Sequence, residues 1–149
     1  MAKAVQYQWL PGPVGEMLRS ASLATTASIP LGSTTFVVTT GHVGVDIKTG
    51  QLVQSSLEAE FNAVLDCLDA ALLNAGVDGG LADAHKIVAY YIAKECEEVM
   101  FKIFRQRFPN RTPTWTSVVV VELVNPGMHA ELQAEAIASQ STAAGKIGE

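Results

Sequence analysis

The amino-acid sequence predicts an α+β protein in which a mostly antiparallel sheet carries two helices on one face. Two observations predict this class. Several short segments are β-branched or alternate between apolar and polar side chains, and two longer segments repeat apolar residues at helical spacing. Hydrophobic residues make up 48% of the 149 residues and charged residues 17%, which excludes global disorder and favours one compact, association-prone core.

The N-terminal third of the chain predicts three strands. Residues 4–9 alternate strictly between apolar and polar side chains, as a half-buried strand does. Residues 34–40 are β-branched at all but one position, which favours a buried strand. Between them, the weakly periodic residues 23–29 are expected to form a strand. Turns are predicted at 11–13 and at 30–33.

Two segments predict helices. Ser55 and Glu58 have the spacing of a capping box, and apolar residues recur after them at helical intervals until Gly76. These apolar residues are Leu57, Phe61, Val64, Leu65, Leu68 and Leu72. The second helix begins with three glutamates within 95–98, where the helix dipole is positive, and it ends before Pro109.

Three more strands complete the predicted sheet, at 86–92, 116–124 and 130–138. The segment 116–124 contains four consecutive valines and is predicted to be a central strand buried on both faces. The segment 130–138 alternates, with its glutamates and its glutamine on one face. Residues 1–138 are therefore expected to form one domain, and the small and polar residues 139–149 a mobile tail.

The charge balance argues against a nucleic-acid partner. The formal net charge is −5, whereas non-specific affinity for nucleic acid comes from clustered lysines and arginines. The longest basic cluster is Lys102, Arg105, Arg107 and Arg111. It lies at the end of a predicted helix, where the dipole favours cations. Its charge therefore does not indicate a ribonuclease.

The sequence also predicts no membrane partner, no metal and no cofactor. The N-terminal residues lack the apolar run of a signal peptide, and no stretch reaches the roughly 20 apolar residues of a membrane span, so a cytoplasmic protein is expected. Cys67 and Cys96 fall in predicted helices without metal-ligand spacing, which indicates buried free thiols. The chain shows no nucleophilic triad and no glycine-rich phosphate loop.

Three groups of residues resemble the RidA/YjgF family of reactive-intermediate deaminases, also described as endoribonuclease L-PSP-like. Residues 37–50, VVTTGHVGVDIKTG, are similar to the family's strand, Ser-Gly-Gln segment and Thr-Gly turn. The predicted helix at 57–76 ends in LLNAG. A Pro126-Gly127 turn precedes ELQAEAIA at 131–138, which resembles the family's C-terminal signature.

The resemblance implies a chorismate-mutase-like fold and a homotrimer with three equivalent clefts between subunits, which bind small carbonyl, imine or carboxylate compounds. Active members hold the substrate carboxylate with an arginine, and a glutamate positions or protonates through water. The alignment places Thr116 and Gln133 at these two positions, and a glutamine cannot titrate. The resemblance therefore implies a divergent member in which the usual 2-iminoacid hydrolysis is lost.

The candidate catalytic residues are Gln133, Glu135, Thr40 and His42. Thr40 keeps a hydroxyl where the family has a serine. His42 follows the cleft glycine and is a candidate acid or base, although a lone histidine is more often structural. Glu135 gains a functional interpretation only from the alignment, while exposure of a polar strand face to water explains Glu131.

The candidate substrate-binding residues are Thr116, Trp115, Phe101, Arg111 and Thr25. Trp115 suits an aromatic wall for a less acidic ligand and equally suits interface packing. Phe101 aligns near a polar cleft position of the family, so it would make the pocket more apolar, unless it simply packs along its helix. Arg111 is close enough in sequence to replace the missing arginine, but solvation at the surface is the simpler explanation. Thr25 falls near a family tyrosine.

Three functions remain open. The first is a homotrimer that binds a small carbonyl, imine-type or neutral metabolite without the standard deamination. The second is an enzyme of specialised metabolism that tautomerises, dehydrates, cyclises or hydrolyses an uncharged substrate. The third is a non-catalytic interaction or chaperone-like trimer. Convergence of the polar candidates on one cleft favours the first two, and a cleft filled by Trp115 and Phe101 favours the third.

Overall fold

The computed structural model describes residues 3–139, so the predicted tail beyond Ser139 lies outside the described residues. Its elements are β1 (Gln6–Gln8), α1 (Pro13–Ser20), β2 (Thr26–Leu31), β3 (Thr34–Thr39), α2 (Leu57–Asn74), β4 (Ala84–Tyr91), α3 (Glu95–Arg107), β5 (Thr114–Val119) and β6 (Ala130–Ser139), with a 3₁₀ turn (Gly80–Asp83) before β4. None of the helices in this part of the chain combines the length and apolar character that crossing a bilayer demands.

The strands form one sheet in the order β1-β2-β3-β6-β4-β5. All neighbouring strands are antiparallel except β4 and β5, which are parallel. Because β6 is antiparallel to both β3 and β4, those two strands run in the same direction, and α2 connects them in a split βαβ arrangement. The predicted α+β class with a mostly antiparallel sheet is confirmed.

The main core lies between the sheet and the helices α2 and α3. The predicted apolar stripe of α2 is confirmed, since Phe61, Val64, Leu65, Leu68 and Leu72 are fully buried. The predicted cap was misplaced by one residue, because Ser56 and not Ser55 accepts a hydrogen bond from the Ala59 amide at 3.0 Å. Cys67 and Cys96 are free and buried, as predicted.

The alternation predicted for 130–138 is also confirmed. Small or branched side chains of β6, among them Leu132 and Ala134, are fully buried under the helices. The intervening Glu131, Gln133 and Glu135 are half-buried on the opposite face. That opposite face, from here on called the open face, is turned away from the core that α2 and α3 cover.

The N-terminal region differs from the sequence prediction in two ways. Helix α1 was not predicted, although Pro13 occupies its first turn, where a missing amide hydrogen costs nothing. At eight residues it is too short to show periodicity. Strand β2 begins at Thr26 and continues to Leu31, so the predicted turn at 30–33 narrows to Gly32 and Ser33. Pro30 fits this strand because the pairing with β1 ends at Ser28.

The prediction for 116–124 is wrong. Strand β5 covers Thr114–Val119, pairs only with β4 and forms an edge of the sheet. Its valines are not buried: Val118 is 40% exposed and Val119 is 55% exposed. The later strand β6 inserts between β3 and β4 and takes the central position that the valine run suggested for β5.

Candidate functional site

Three of the predicted site residues lie on the open face of the sheet. Gln133 of β6 pairs with Val88 of β4, and Val88 pairs with Thr116 of β5. These three residues therefore form one row across neighbouring strands. In the adjacent row Glu135 pairs with Lys86, which pairs with Thr114. The residues aligned with the family's arginine and glutamate thus share one face, separated by a single strand.

An extra residue at the end of β3 lies beside this row. Val38 pairs with Glu135, and His42 pairs with Leu132. The chain therefore advances four positions on the β3 side for three positions on β6, which is a β-bulge. The Gln133 side-chain amide donates to the Thr39 carbonyl at 3.2 Å. That carbonyl carbon is bonded to the Thr40 nitrogen, so the structure brings Thr40 next to Gln133.

Glu135 interacts with a histidine and a lysine of β4. Its carboxylate lies 3.6 Å from His85 Nε2 and 3.7 Å from Lys86 Nζ. The sequence did not indicate these partners, because the β4–β6 register shifts between Ala84 and Lys86. Lys86 pairs with Thr114, one row away from Thr116, and its ammonium group faces the Glu135 carboxylate.

Arg111 lies at one end of the open face. Its guanidinium is 3.7 Å from Asp83 and is half exposed. It lines a polar cavity of about 500 Å³ together with His85, Thr114 and Ile137. The structure thus brings Arg111 near the Glu135 row without a contact to Thr116, and its role as a substitute for the missing arginine stays a prediction.

Arg107, another member of the basic cluster, also has structural partners. It donates to the Asn62 carbonyl at 3.0 Å and forms a 2.7 Å ion pair with Asp66. Two arginines of the basic cluster, Arg107 and Arg111, are therefore matched with aspartates rather than gathered in a cationic patch.

Trp115 and Phe101 lie on the other side of the sheet. Trp115 alternates with Thr116 along β5, so its ring points towards α3. It meets Phe101 at 5.1 Å and Phe104 at 5.3 Å between ring centroids, both edge-on, and its Nε1 donates to Ser117. The structure brings Trp115 and Phe101 together, but away from the polar row.

Thr25 and His42 are both buried. Thr25 is fully buried, and its hydroxyl accepts a hydrogen bond from the Leu10 amide at 3.0 Å. The His42 side chain is 4% exposed, and its Nε2 has no hydrogen-bond partner among the described residues. Burial lowers the pKa of His42 to about 4, so its imidazole is neutral at pH 7. A neutral ring that is cut off from water is a poor general acid.

Glu131 is less accessible to water than the sequence suggested. The residue is half-buried, and burial raises the pKa of its carboxyl group. The carboxylate lies against Gly41, where any Cβ atom would collide with Glu131 Oε1. Only the long-range pairing of the 41–43 segment with β6 reveals this contact. Within residues 3–139 no three His, Cys, Asp or Glu side chains are placed to share a metal ion.

Comparison with known proteins gives a consistent match. Residues 27–138 match the family model described as Endoribonuclease L-PSP. No curated protein matches the sequence. Among solved structures, Rv2704 of Mycobacterium tuberculosis, described as a member of the YjgF/YER057c/UK114 family, is 20% identical, with a TM-score of 0.68 over 89% of this chain and 98% of its own.

Two further structures resemble the chain. Yeast YEO7 is 15% identical, with a TM-score of 0.74 over 91% of this chain and 99% of its own. TdcF from E. coli, solved with bound serine, is 21% identical, with a TM-score of 0.68 over 92% of this chain and 99% of its own. At these identities the structural likeness establishes the fold, and the predicted chorismate-mutase-like fold is confirmed.

Proposed function

We propose that the chain, which belongs to the Endoribonuclease L-PSP (RidA/YjgF) family, forms a homotrimer and binds a small carbonyl, imine-type or neutral metabolite in clefts between its subunits. The observation that carries this proposal is the open face of the sheet. It exposes large apolar side chains, with Tyr7 60%, Leu31 54% and Ile137 46% exposed. An apolar sheet face needs a cover, and further copies of the chain would supply one.

The polar row on this face supports an uncharged ligand. Thr116 and Gln133 offer a hydroxyl and an amide where a carboxylate-binding site needs a guanidinium. Lys86, the cation of the adjacent row, already faces Glu135. A neutral carbonyl or imine group can accept hydrogen bonds from Thr116 and Gln133 without a counter-ion.

The same row supports the loss of the usual deamination. Hydrolysis of an imine needs a group that transfers protons near neutral pH, and the amide of Gln133 cannot do so. His42 is buried and neutral, and it is not available as a replacement. An RNA substrate is not part of the proposal, because the net charge is −5 and Arg107 and Arg111 are paired with aspartates.

The assembly is tested by light scattering after size-exclusion chromatography. We expect a mass of about three times the chain mass of 15.8 kDa. Ile137→Lys should produce smaller species, because it places a charge on the covered face. Leu73→Lys is the control, since Leu73 of α2 is similarly exposed, at 49%, but lies on a helix. A monomeric mass for the unmodified chain would overturn the proposal.

The chemistry is tested by hydrolysis of 2-aminoacrylate-type imines generated in situ. We expect the unmodified protein to be inactive and a Thr116→Arg, Gln133→Glu double variant to gain activity. A Thr114→Arg, Gln133→Glu variant is the matched control, because Thr114 lies on the same strand and face, one row away. Activity of the unmodified protein would contradict the proposed loss of deamination.

A further inference from the structure

A second cavity lies apart from the polar row, between α1 and the segment 41–52. Its volume is about 330 Å³, near the lower end of the roughly 300–1,000 Å³ typical of small-molecule pockets. Apolar side chains from both sides line most of it, including Val14, Met17 and Leu18 of α1 and Val43 and Leu52 of the facing segment. Thr116, Gln133 and Glu135 do not line this cavity.

The charge of the cavity is carried by one residue. Among the described residues that line it, only His42 and Glu131 have ionisable side chains, and His42 is neutral because burial holds its pKa at about 4. The Glu131 side chain forms no hydrogen bond or ion pair with any described residue, although its backbone is paired with Tyr90 of β4. Its half-burial raises the pKa of its carboxyl group, because nothing compensates for the lost hydration of the carboxylate.

A ligand can supply that compensation. An ammonium group in the cavity would pair with the carboxylate, whereas a ligand carboxylate would meet a like charge with no cation nearby. The absence of a Cβ atom at Gly41 lets the Glu131 carboxylate lie at this point of the cavity wall. An apolar body on the ligand would be complementary to the α1 side of the cavity.

We infer that this cavity binds a small amine whose ammonium group pairs with Glu131 and whose apolar body lies against α1. This inference goes beyond the proposed function, because the cavity is formed within one chain and its lining leaves out Thr116 and Gln133. It also assigns the opposite charge preference from a site that clamps a carboxylate with an arginine.

Three probes with the same apolar body test the charge preference. Isothermal titration calorimetry of the full chain would compare 2-phenylethylamine, 2-phenylethanol and 3-phenylpropionate. We expect the amine to bind about tenfold or more tightly than the alcohol, because of its charge-assisted hydrogen bond, and the carboxylate to bind most weakly. Equal affinities for amine and carboxylate, or no binding of the amine at millimolar concentration, would overturn the inference.

Variants test the assignment to Glu131. Glu131→Gln should reduce the affinity for the amine to that for the alcohol while leaving the alcohol unchanged. Glu16→Gln removes the same charge from an exposed position of α1 outside the cavity lining and should change neither affinity. Ala21→Phe fills the cavity and should abolish binding of both probes. Undiminished amine binding by Glu131→Gln would refute the pairing of the ammonium group with Glu131. If a variant fails to fold, the comparison of the three probes on the unmodified chain still tests the charge preference.

Discussion

Replacement of Glu60 by alanine should be one of the most destabilising single substitutions in the chain. The Glu60 side chain is 1% exposed and joins α2 to the start of β6. Its Oε1 accepts hydrogen bonds from the His129 amide at 2.6 Å and the Ala130 amide at 3.3 Å, and its Oε2 lies 2.8 Å from His129 Nδ1. Glu60→Ala removes this buried acceptor and leaves the two backbone amides without their partner.

The expected loss is about 3–5 kcal/mol in the free energy of unfolding. Each buried donor left unsatisfied costs about 1–3 kcal/mol, and Glu60→Ala leaves the amides of His129 and Ala130 without an acceptor. Glu60→Gln keeps one acceptor oxygen for the two backbone amides, so its cost should be intermediate. Glu58→Ala is the matched control, because Glu58 is exposed in the same first helical turn and should cost no more than about 1 kcal/mol.

The measurement is urea unfolding followed by circular dichroism. All variants are compared at one protein concentration, because association adds to the apparent stability. A loss for Glu60→Ala within about 1 kcal/mol of the loss for Glu58→Ala would refute the reasoning, since it would mean that the buried acceptor contributes little. If Glu60→Gln and Glu60→Ala lower the free energy of unfolding equally, the negative charge of Glu60 stabilises the protein and its hydrogen bonds to the two backbone amides do not.

Three other predictions concern His42, the two cysteines and Trp115. Burial lowers the pKa of His42 to about 4, so the stability that the neutral imidazole contributes is present above pH 6.5 and is lost as the pH falls to 4. His42→Gln should remove about 3 kcal/mol of this pH dependence of the unfolding free energy, measured by urea titration. An unchanged pH profile would contradict the prediction. Burial raises the pKa of the Cys67 thiol to about 11 and also raises the pKa of Cys96. A disulfide reagent at pH 8 should therefore label neither thiol before the protein unfolds. Rapid labelling of the native protein would contradict this prediction. Trp115→Ala should destabilise the chain by about 3 kcal/mol through lost packing on Phe101 and Phe104, and a stability change below about 1 kcal/mol would favour a ligand-facing role instead.

Elements with a strong local period could be predicted from the sequence alone. The apolar stripe of α2 and the alternation of β6 both came out with the correct type and the correct buried side. Helix α1 did not, because eight residues show too little periodicity beside a segment rich in serine, alanine and threonine. The signal that was present, Pro13 after Gly12, is equally typical of a turn.

The identity of individual site residues could be predicted from the sequence, but their arrangement in space could not. Thr116, Gln133 and Thr40 were identified by alignment, and the structure places Thr116 in one row with Gln133 and Thr40 next to Gln133. Trp115 and Thr116 are adjacent in sequence but face opposite sides of the sheet, and their strand was expected to lie elsewhere. Consecutive residues of a strand point to opposite faces, but which face each one occupies depends on the register of β5, and the sequence does not reveal that register.

The sequence by itself determined the class of the fold, its family and the two substitutions at Thr116 and Gln133, because each of these depends on residue identity and short-range spacing. The tertiary structure decided which strands are neighbours. By inserting β6 between β3 and β4 it left the valines of β5 at an edge, and by pairing 41–43 with β6 it buried Glu131 beside Gly41. Periodicity is set by neighbours along the chain, whereas pairing and burial depend on residues about 90 positions apart, and no local pattern encodes that distance.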